Sequence, residues 1–363
     1  MTKRERVEAT LNCKPVDRVA VLEQLSYNPA VIAQYTGKEI NGFDYTLDDI
    51  CHVIGQTLDI CMPPVPPRGT ERITTPDGFV IQQDNWTSWI VKRPFDSAQG
   101  ARDWLLQKTA DLKDRAIHPE EIRKAYQDRI RGLTEKSGGT VIMASSHTGF
   151  CGVYDRMGLE SFSFFIMDYL EIFDEFMKQN MKHELARVHA VADRELSPVI
   201  LIAEDFATKQ GQIFSNDLLF ACHYPHIKTL TDAWHEHDIK VIFHSDGNWK
   251  KCIPDLLDCG VDGFYCLEPN CGMDIVELKN TWPQVTWAGG VDGVDLMERG
   301  APEEVTQTVQ RHIHETNAQQ TGGMFVASSS EINPPIPVEN FTAMMDTAHS
   351  VTNTMTHLNH FHF

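Results

Sequence analysis

Residues 240–248 read K-V-I-F-H-S-D-G-N, an apolar run that ends in a histidine and an aspartate and is followed by a Gly-Asn turn. A short, bulky apolar run of this kind is typical of a buried strand. Burying polar side chains costs free energy unless they have partners or a function. The fold around this strand therefore decides why it leads into His244 and Asp246.

The same pattern recurs along the chain. Apolar runs that predict strands lie at residues 140–144, 198–203, 240–243, 261–267, 284–288 and 323–327. Helix-like stretches lie at residues 216–238, 249–259, 272–281 and 301–318. Strands that alternate with helices indicate βαβ units and a parallel sheet covered on both faces. No Gly-x-Gly-x-x-Gly or Walker loop follows these runs, which argues against an open, nucleotide-binding sheet. The sequence therefore predicts that residues 1–363 form a single-domain (β/α)8 barrel.

The remaining segments extend this prediction. Residues 1–15 are predicted to form an N-terminal helix, and residues 62–78 a loop rich in proline and glycine. A hairpin is predicted around residues 79–93, and long amphipathic helices over residues 160–196. Residues 355–363 are predicted to be a frayed tail.

Charge and composition argue against several classes of function. With 51 acidic and 32 basic residues the net charge is −19, which disfavours nucleic acid or an anionic membrane surface as partner. The first residues lack an apolar signal-peptide core, and no stretch approaches the roughly 18 apolar residues of a membrane span. The nine cysteines include no C-x-x-C pair. A cytoplasmic protein with reduced thiols is therefore predicted.

Polar side chains follow every predicted strand. The runs end, in chain order, in Ser145-Ser146-His147, Glu204-Asp205, His244-Ser245-Asp246, Glu268-Pro269, Gly289-Gly290-Val291-Asp292 and Ser328-Ser329-Ser330. In a (β/α)8 barrel these carboxyl ends converge on one mouth, where active sites lie. Single residues have simpler explanations, because Asp292 fits a helix cap and Glu268 a turn. Six polar strand ends together favour a functional site.

His244 and Asp246 are the first candidates for that site. Residues two apart on a strand point to the same side, and imidazole nitrogen and carboxylate oxygen both bind zinc. The pair could therefore be zinc ligands, with Glu204 and Asp205 as further catalytic residues. A metal-free site is the alternative, with Asp246 or Glu204 as general acid and His244 as its partner.

Further residues near the strand ends, or in aromatic-rich segments, are predicted to bind substrate. They are Trp86, His147, Phe150, Tyr154, His223, Glu268 and Ser330. The aromatic side chains among them could line a flat apolar pocket, although such side chains more often pack in a core.

Four longer motifs occur in a recognisable order. They are R-V-E-A-T-L-N-C-K-P-V-D-R-V-A-V at residues 6–21, G-V-D-G-F followed by L-E-P within 260–269, W-A-G-G-V-D at 287–292 and P-V-E-N at 337–340. In kind and spacing they resemble the uroporphyrinogen decarboxylase superfamily over nearly the whole chain. The resemblance implies a single (β/α)8 barrel and a homodimer.

That superfamily contains two chemistries. Its decarboxylases bind a tetrapyrrole rich in carboxylates and resemble one another in a Gln-Ala-Gly-Arg-like stretch near the N-terminus, which supplies an arginine. Here residues 22–30 read L-E-Q-L-S-Y-N-P-A, and no arginine lies between Arg18 and Arg68. A protein of net charge −19 without that arginine is poorly matched to a polyanionic substrate.

The other branch consists of methyltransferases that act with corrinoid proteins. Their zinc site is similar to His-x-Cys on one strand with a cysteine after the last strand. His244 matches the histidine, whereas Asp246 and Ser330 stand where the two cysteines would be. Harder ligands make zinc a stronger Lewis acid, which suits removal of a methyl group from an ether oxygen.

The resemblance therefore implies an enzyme of the O-demethylase type. It would move a methyl group from a small methylated donor, such as a methoxylated aromatic, to cobalamin carried by a partner corrinoid protein. A uroporphyrinogen-type decarboxylase and a non-catalytic barrel that binds a small molecule are the alternatives.

Overall fold

The structure is a computed structural model and describes residues 1–350. The tail predicted at residues 355–363 lies outside the described residues. The described strands are β1 (Ala20–Glu23), β2 (Ile60–Cys61), β3 (Glu71–Thr74), β4 (Val80–Gln83), β5 (Ser88–Lys92), β6 (Val141–Ile142), β7 (Ser145–Ser146), β8 (Val199–Ala203), β9 (Ala207–Thr208), β10 (Gly211–Gln212), β11 (Lys240–His244), β12 (Gly263–Leu267), β13 (Thr286–Val291) and β14 (Met324–Ser328).

Helices connect most of these strands. The described α-helices are α1 (Lys3–Leu11), α2 (Pro29–Thr36), α3 (Leu47–Thr57), α4 (Ala98–Asp114), α5 (Pro119–Lys136), α6 (Phe150–Met157), α7 (Leu159–Asp168), α8 (Leu170–Val191), α9 (Asn216–Cys222), α10 (Tyr224–His235), α11 (Ile253–Asp258), α12 (Ile275–Thr281), α13 (Pro302–Glu315), α14 (Ala318–Thr321) and α15 (Val338–Ser350). No helix within residues 1–350 is both long and apolar enough to cross a membrane.

The chain forms two compact units. The first contains Met1–Pro64, Thr134–Ile142 and the segment from Asp262 onward. Its six strands are parallel and hydrogen-bond in the order β6-β2-β1-β14-β13-β12. Every residue of β12, β13 and β14 is buried, as expected for parallel strands covered on both faces.

The second unit contains Val65–Leu133 and Met143–Val261. Its parallel strands hydrogen-bond in the order β11-β8-β7. The strands β3, β4 and β5 form a separate antiparallel sheet, and β9 and β10 form a two-stranded one. The prediction that residues 1–363 form a single domain stays a prediction.

Most of the predicted elements are present with changed bounds. The predicted hairpin at residues 79–93 is β4 and β5, but β3 adds a third strand within the predicted loop at 62–78. The helix predicted over 216–238 is divided into α9 and α10 at His223. Pro225 lies in the first turn of α10, where its missing N–H costs no hydrogen bond.

A buried carboxylate anchors the N-terminal helix to the first parallel strands. Asp59 is fully buried and forms ion pairs with Arg6 and Arg18, each at 2.7 Å. It also accepts a hydrogen bond from the Val21 N–H at 3.0 Å. Because Arg6 belongs to α1 and Val21 to β1, one carboxylate stabilises the position of both elements.

The Asp59→Asn variant tests this anchor. Removing the negative charge leaves the largely buried Arg18 guanidinium without its paired carboxylate, whereas Arg6 keeps its ion pair with Asp17, so we expect the free energy of unfolding to fall by about 3–5 kcal/mol. Urea denaturation measures the change. The matched control is Asp174→Asn, which breaks the exposed Lys178–Asp174 pair and should cost less than about 1 kcal/mol. Equal losses in the two variants would contradict the anchoring role.

Candidate active site

The ends of β8 and β11 bring three polar side chains together. His244 lies opposite Ala203 in the paired strands, and the Glu204 N–H donates to the His244 carbonyl oxygen at 3.0 Å. This pairing places Asp205 beside the end of β11. His244 Nε2 lies 3.7 Å from Asp205 Oδ1 and 4.0 Å from Asp246 Oδ1. We refer to His244, Asp205 and Asp246 as the histidine–carboxylate cluster.

The backbone of this cluster is held by local contacts. The Asp246 N–H donates to Asp205 Oδ1 at 2.9 Å, and the buried Ser245 hydroxyl donates to the Asp246 carbonyl oxygen at 2.9 Å. Gly247 has a φ of +82°, and a Cβ atom there would lie 2.7 Å from the Thr208 carbonyl oxygen. Glycine is therefore required at this position. In the sequence H-S-D-G, His244 and Asp246 thus belong to the cluster, and Ser245 and Gly247 shape the turn.

The donor atoms suit a divalent metal ion. Two ligand atoms bound at about 2.1 Å to one tetrahedral zinc ion lie about 3.4 Å apart. The donor atoms of His244 and Asp246 lie within 4.8 Å of each other, a separation that small movements would reduce to that value. The side chains of His244, Asp205 and Asp246 are 17%, 45% and 60% exposed, so a ligand can reach them from solvent. Imidazole and carboxylate also form a harder donor set than thiolates.

Glu204 lies in a different environment. It is 1% exposed, and its Oε1 accepts hydrogen bonds from the Thr148 N–H, the Thr148 hydroxyl and the Gly149 N–H at 2.6–3.1 Å. Its Oε2 accepts from the Cys151 N–H at 2.8 Å. These N–H groups lie at the start of α6, which has no capping side chain at its own N-cap residue. Glu204 therefore caps this helix from β8.

Burial raises the pKa of Glu204, and the hydrogen bonds from Thr148 and Cys151 lower it in part. The helix α6 also holds Asp205 in place. The Tyr154 hydroxyl and the Cys151 thiol, both on α6, donate hydrogen bonds to the Asp205 carbonyl oxygen. Burial raises the pKa of the Cys151 thiol to about 12, so the thiol stays protonated and can donate. The two predicted catalytic carboxylates thus have opposite surroundings.

His147 is exposed, and its ring hydrogen-bonds to residues of β7 and β8. Its Nδ1 lies 3.1 Å from the Ala203 carbonyl oxygen, and its Nε2 lies 3.2 Å from Ser145 Oγ. A carbonyl oxygen only accepts, so Nδ1 carries a hydrogen and donates it to Ala203. Ala203 is the residue paired with His244, and the structure therefore places His147 next to the cluster.

The aromatic residues that were predicted to line a substrate pocket lie mostly in the core. Phe150 and His223 are fully buried, with ring centroids 4.6 Å apart, and Tyr154 is nearly buried beside Phe150. Neither ring nitrogen of His223 has a hydrogen-bond partner within the described residues. Burial lowers the pKa of His223 to about 3, so the ring is neutral. Trp86 lies in the turn between β4 and β5. A substrate-binding role for these residues stays a prediction, and the observed role of Phe150 and His223 is core packing.

Two predicted substrate-binding residues belong to the first unit. Glu268 follows β12, and its carbonyl oxygen accepts from the Cys271 and Met273 N–H groups in the turn that the sequence suggested. Ser330 follows β14 and donates from Oγ to the Glu331 carbonyl oxygen at 3.3 Å. Their predicted role in binding substrate also stays a prediction.

One candidate residue was missed by sequence reasoning. Glu23 ends β1 and is fully buried, and burial raises its pKa to about 8. An acidic residue that ends the apolar run V-A-V-L-E carries the same signal as the other strand ends.

Parallel strands alternating with helices, with polar side chains at the strand ends, define an enzyme of the (β/α)8-barrel class. The family model of uroporphyrinogen decarboxylase (URO-D) matches residues 128–351, which is more than half of the chain. The chain belongs to the uroporphyrinogen decarboxylase family. The predicted fold class and the resemblance to this superfamily are confirmed.

Comparison with solved structures finds similar chains. A methyltransferase from Methanosarcina mazei has a TM-score of 0.66 at 17% sequence identity, covering 96% of this chain and 98% of that chain. A xylose isomerase-like TIM barrel protein from Mycobacterium smegmatis is more distant, with a TM-score of 0.33, 11% identity and coverage of 70% and 90%. D-psicose 3-epimerase has a TM-score of 0.31 at 8% identity, covering 70% and 91%. Comparison with curated proteins finds no match.

The different surroundings of Glu204 and Asp246 lead to a stability prediction. In Glu204→Gln an amide group replaces one of the two accepting oxygens, which leaves buried N–H groups of α6 without an acceptor. We expect a loss of about 1–3 kcal/mol in the free energy of unfolding. Asp246→Asn changes an exposed side chain and should stay within about 0.5 kcal/mol of the wild type. Thermal and urea denaturation measure both, and a larger loss in Asp246→Asn would reverse the two assignments.

Proposed function

We propose that this protein is a methyltransferase that moves a methyl group from a small methylated donor to the cobalt of a corrinoid carried by a partner protein. A methoxylated aromatic compound is the proposed donor. The observation that carries the proposal is the histidine–carboxylate cluster at the ends of β8 and β11, in a chain of the uroporphyrinogen decarboxylase family. The shared fold with the methyltransferase from Methanosarcina mazei supports this class of reaction.

The reaction requires stabilisation of the negative charge that develops on the leaving oxygen. Cobalt(I) supplies the electron pair for the new carbon–cobalt bond, the oxygen–methyl bond breaks, and the oxygen keeps the electrons of that bond. The negative charge on this oxygen must be neutralised by a proton or a cation. Groups placed where charge develops typically supply about 10²–10³ in rate.

His244 and Asp246 are the residues that would hold zinc, with Asp205 beside them. Bound zinc would supply Lewis acidity to the leaving oxygen. The chain's own part is orientation, because the Asp246 N–H fixes the Asp205 carboxylate next to His244. In the metal-free form of the proposal, Asp246 is the general acid that delivers the proton, because its 60% exposed side chain is accessible to a substrate. Glu204 is less suited to that role because four donors occupy its oxygens.

Decarboxylation of a uroporphyrinogen-type substrate is the second candidate, because the matching family carries that description. The placement of Arg18 argues against it. Both terminal nitrogens of Arg18 donate to Asp59, at 2.7 and 3.0 Å. This N-terminal arginine is therefore already paired and cannot replace the missing substrate-binding arginine.

The further expectations stay proposals. A corrinoid protein and a small methylated molecule are the proposed partners, and neither nucleic acid nor a membrane is expected. The homodimer and the cytoplasmic location likewise stay predictions.

The direct test mixes the purified protein with cob(I)alamin, or with a corrinoid protein, and a panel of methoxyarenes and methylamines. We expect methylcobalamin to form, as followed by its absorption spectrum. Because His244 and Asp246 act on the leaving oxygen, His244→Ala and Asp246→Asn should each lower the rate by about 10²–10³. The control variant Asp232→Asn removes an exposed carboxylate on α10 and should keep full activity.

Two outcomes would contradict the methyl-transfer proposal. One is that no methoxyarene or methylamine of the panel yields methylcobalamin while uroporphyrinogen releases CO2, which would favour the decarboxylase. The other is full activity of both cluster variants with a loss of thermal stability in each, which would make the cluster structural.

Metal content is tested separately. We expect about one zinc ion per chain in protein purified without chelator or affinity tag, because the cluster offers an imidazole and two carboxylates. Elemental analysis measures the stoichiometry, and His244→Ala should lose most of the metal while Asp232→Asn keeps it. A stoichiometry near zero in the wild type would leave only the metal-free form of the proposal.

A further inference from the structure

The carboxyl end of β1 carries a buried carboxyl group that the reaction proposed above does not use. In the parallel pair of β1 and β14, Val21 lies opposite Val326, and Glu23 therefore reaches Ser328. Glu23 Oε1 accepts a hydrogen bond from the Ser328 N–H. Glu23 Oε2 lies 3.1 Å from Ser328 Oγ. The exposed fraction of Glu23 is 0%.

The hydrogen atoms around Ser328 show which partner donates. The Ser328 hydroxyl has a single hydrogen but lies within hydrogen-bond distance of two oxygens, the Ser330 carbonyl oxygen and Glu23 Oε2. A carbonyl oxygen has no hydrogen to give in return. Both contacts are hydrogen bonds only when the Ser328 hydroxyl donates to the carbonyl oxygen and the second hydrogen comes from Glu23. One accepting oxygen and one donating oxygen are the pattern of a neutral carboxylic acid.

The charged groups around Glu23 agree with this assignment. Glu331, which follows β14, disfavours a second negative charge, and the residue opposite Glu23 in β2 is the buried thiol of Cys61. The helices α1 and α15 pack against β1, but Arg6 is paired with acidic residues and His349 is hydrogen-bonded to a carbonyl oxygen. Within residues 1–350 no cation pairs with Glu23.

We propose that Glu23 is a neutral carboxylic acid at physiological pH and acts as a positioning residue for the turn Ser328–Ser330. The chain of hydrogen bonds runs from the Glu23 hydroxyl to Ser328 Oγ and from the Ser328 hydroxyl to the Ser330 carbonyl oxygen. Ser330 stands where the resemblance to the methyltransferases puts a cysteine. When Glu23 loses its proton to solvent, the Ser328 hydroxyl must turn to the carboxylate and release Ser330.

The proton on Glu23 links stability to pH. The pKa of Glu23 is about 8 in the folded chain against an ordinary value of 4.5. Between these two values the folded chain binds a proton that the unfolded chain lacks. The stabilisation is therefore complete below pH 4.5 and is lost as the pH rises toward 8. The unfolding equilibrium constant should rise by about tenfold for each pH unit in this window because of this one proton.

The Glu23→Gln variant separates a neutral acid from a carboxylate. An amide keeps one donor and one acceptor in the same shape, so the variant should fold and hold the turn, but it cannot titrate. Relative to the wild type, its free energy of unfolding should increase across the window from pH 4.5 to 8. Glu331→Gln is the control, since it removes the exposed neighbouring charge and leaves the proton on Glu23.

Infrared difference spectroscopy gives a second readout. The wild type should show the carbonyl stretch of a protonated carboxylic acid that shifts in heavy water and disappears at alkaline pH, and Glu23→Gln should lack it. This measurement on the wild type remains decisive if the variant does not fold. Absence of the band, or parallel pH dependence of stability in the wild type and Glu23→Gln, would overturn the proposal.

The effect on catalysis rests on the proposed function. If methyl transfer is found, the wild type should lose rate at alkaline pH in the range where Glu23 titrates, and Glu23→Gln should keep its rate there. Identical alkaline profiles would overturn the positioning role. The infrared and unfolding measurements need no substrate, so failure of the methyl-transfer proposal leaves them interpretable.

Discussion

The arrangement of the candidate site depends on one buried carboxylate, Glu204, and the four hydrogen bonds it accepts at the start of α6. Successive side chains after a strand point in opposite directions, so turning Glu204 inward turns Asp205 outward. The Glu204 N–H also continues the pairing with β11 through the His244 carbonyl oxygen. Since α6 holds the Asp205 carbonyl oxygen through Tyr154, the helix cap sets the position of the cluster.

Three buried carboxyl groups illustrate three ways of removing a charge from water. Asp59 is neutralised by two arginines, and Glu204 is solvated by N–H and O–H donors. Glu23 contacts Ser328 at the end of β14 and has no cation paired with it within residues 1–350, and we infer that it stays protonated. In contrast, Asp205 and Asp246 are half exposed and keep water as a partner. The exposed carboxylates are therefore accessible to a ligand, while the buried ones serve structure or positioning.

The contrast between exposed and buried carboxyl groups bears on which of the two chemistries, decarboxylation or methyl transfer, the candidate site suits. A substrate with many carboxylates needs cations at the strand ends, but the described site presents an imidazole and two carboxylates, and the N-terminal Arg18 is paired with Asp59. A hard, acidic set of donors is better matched to a metal ion or a proton acting on an ether oxygen. The choice between the two chemistries and the choice of methyl donor rest with the proposed experiments.

The sequence by itself determined most of the parallel strands and the family, and it predicts where along the chain a candidate site lies. Periodicity predicted β8, β11 and β14 almost to the residue, because burial of a strand on both faces leaves a local apolar run. Only the tertiary structure decided which of two adjacent acids, Glu204 or Asp205, is buried, and that Glu23 contacts Ser328. The physical reason is distance along the chain. Glu204 meets Thr148 across 56 residues and Glu23 meets Ser328 across 305, and no local pattern encodes such partners.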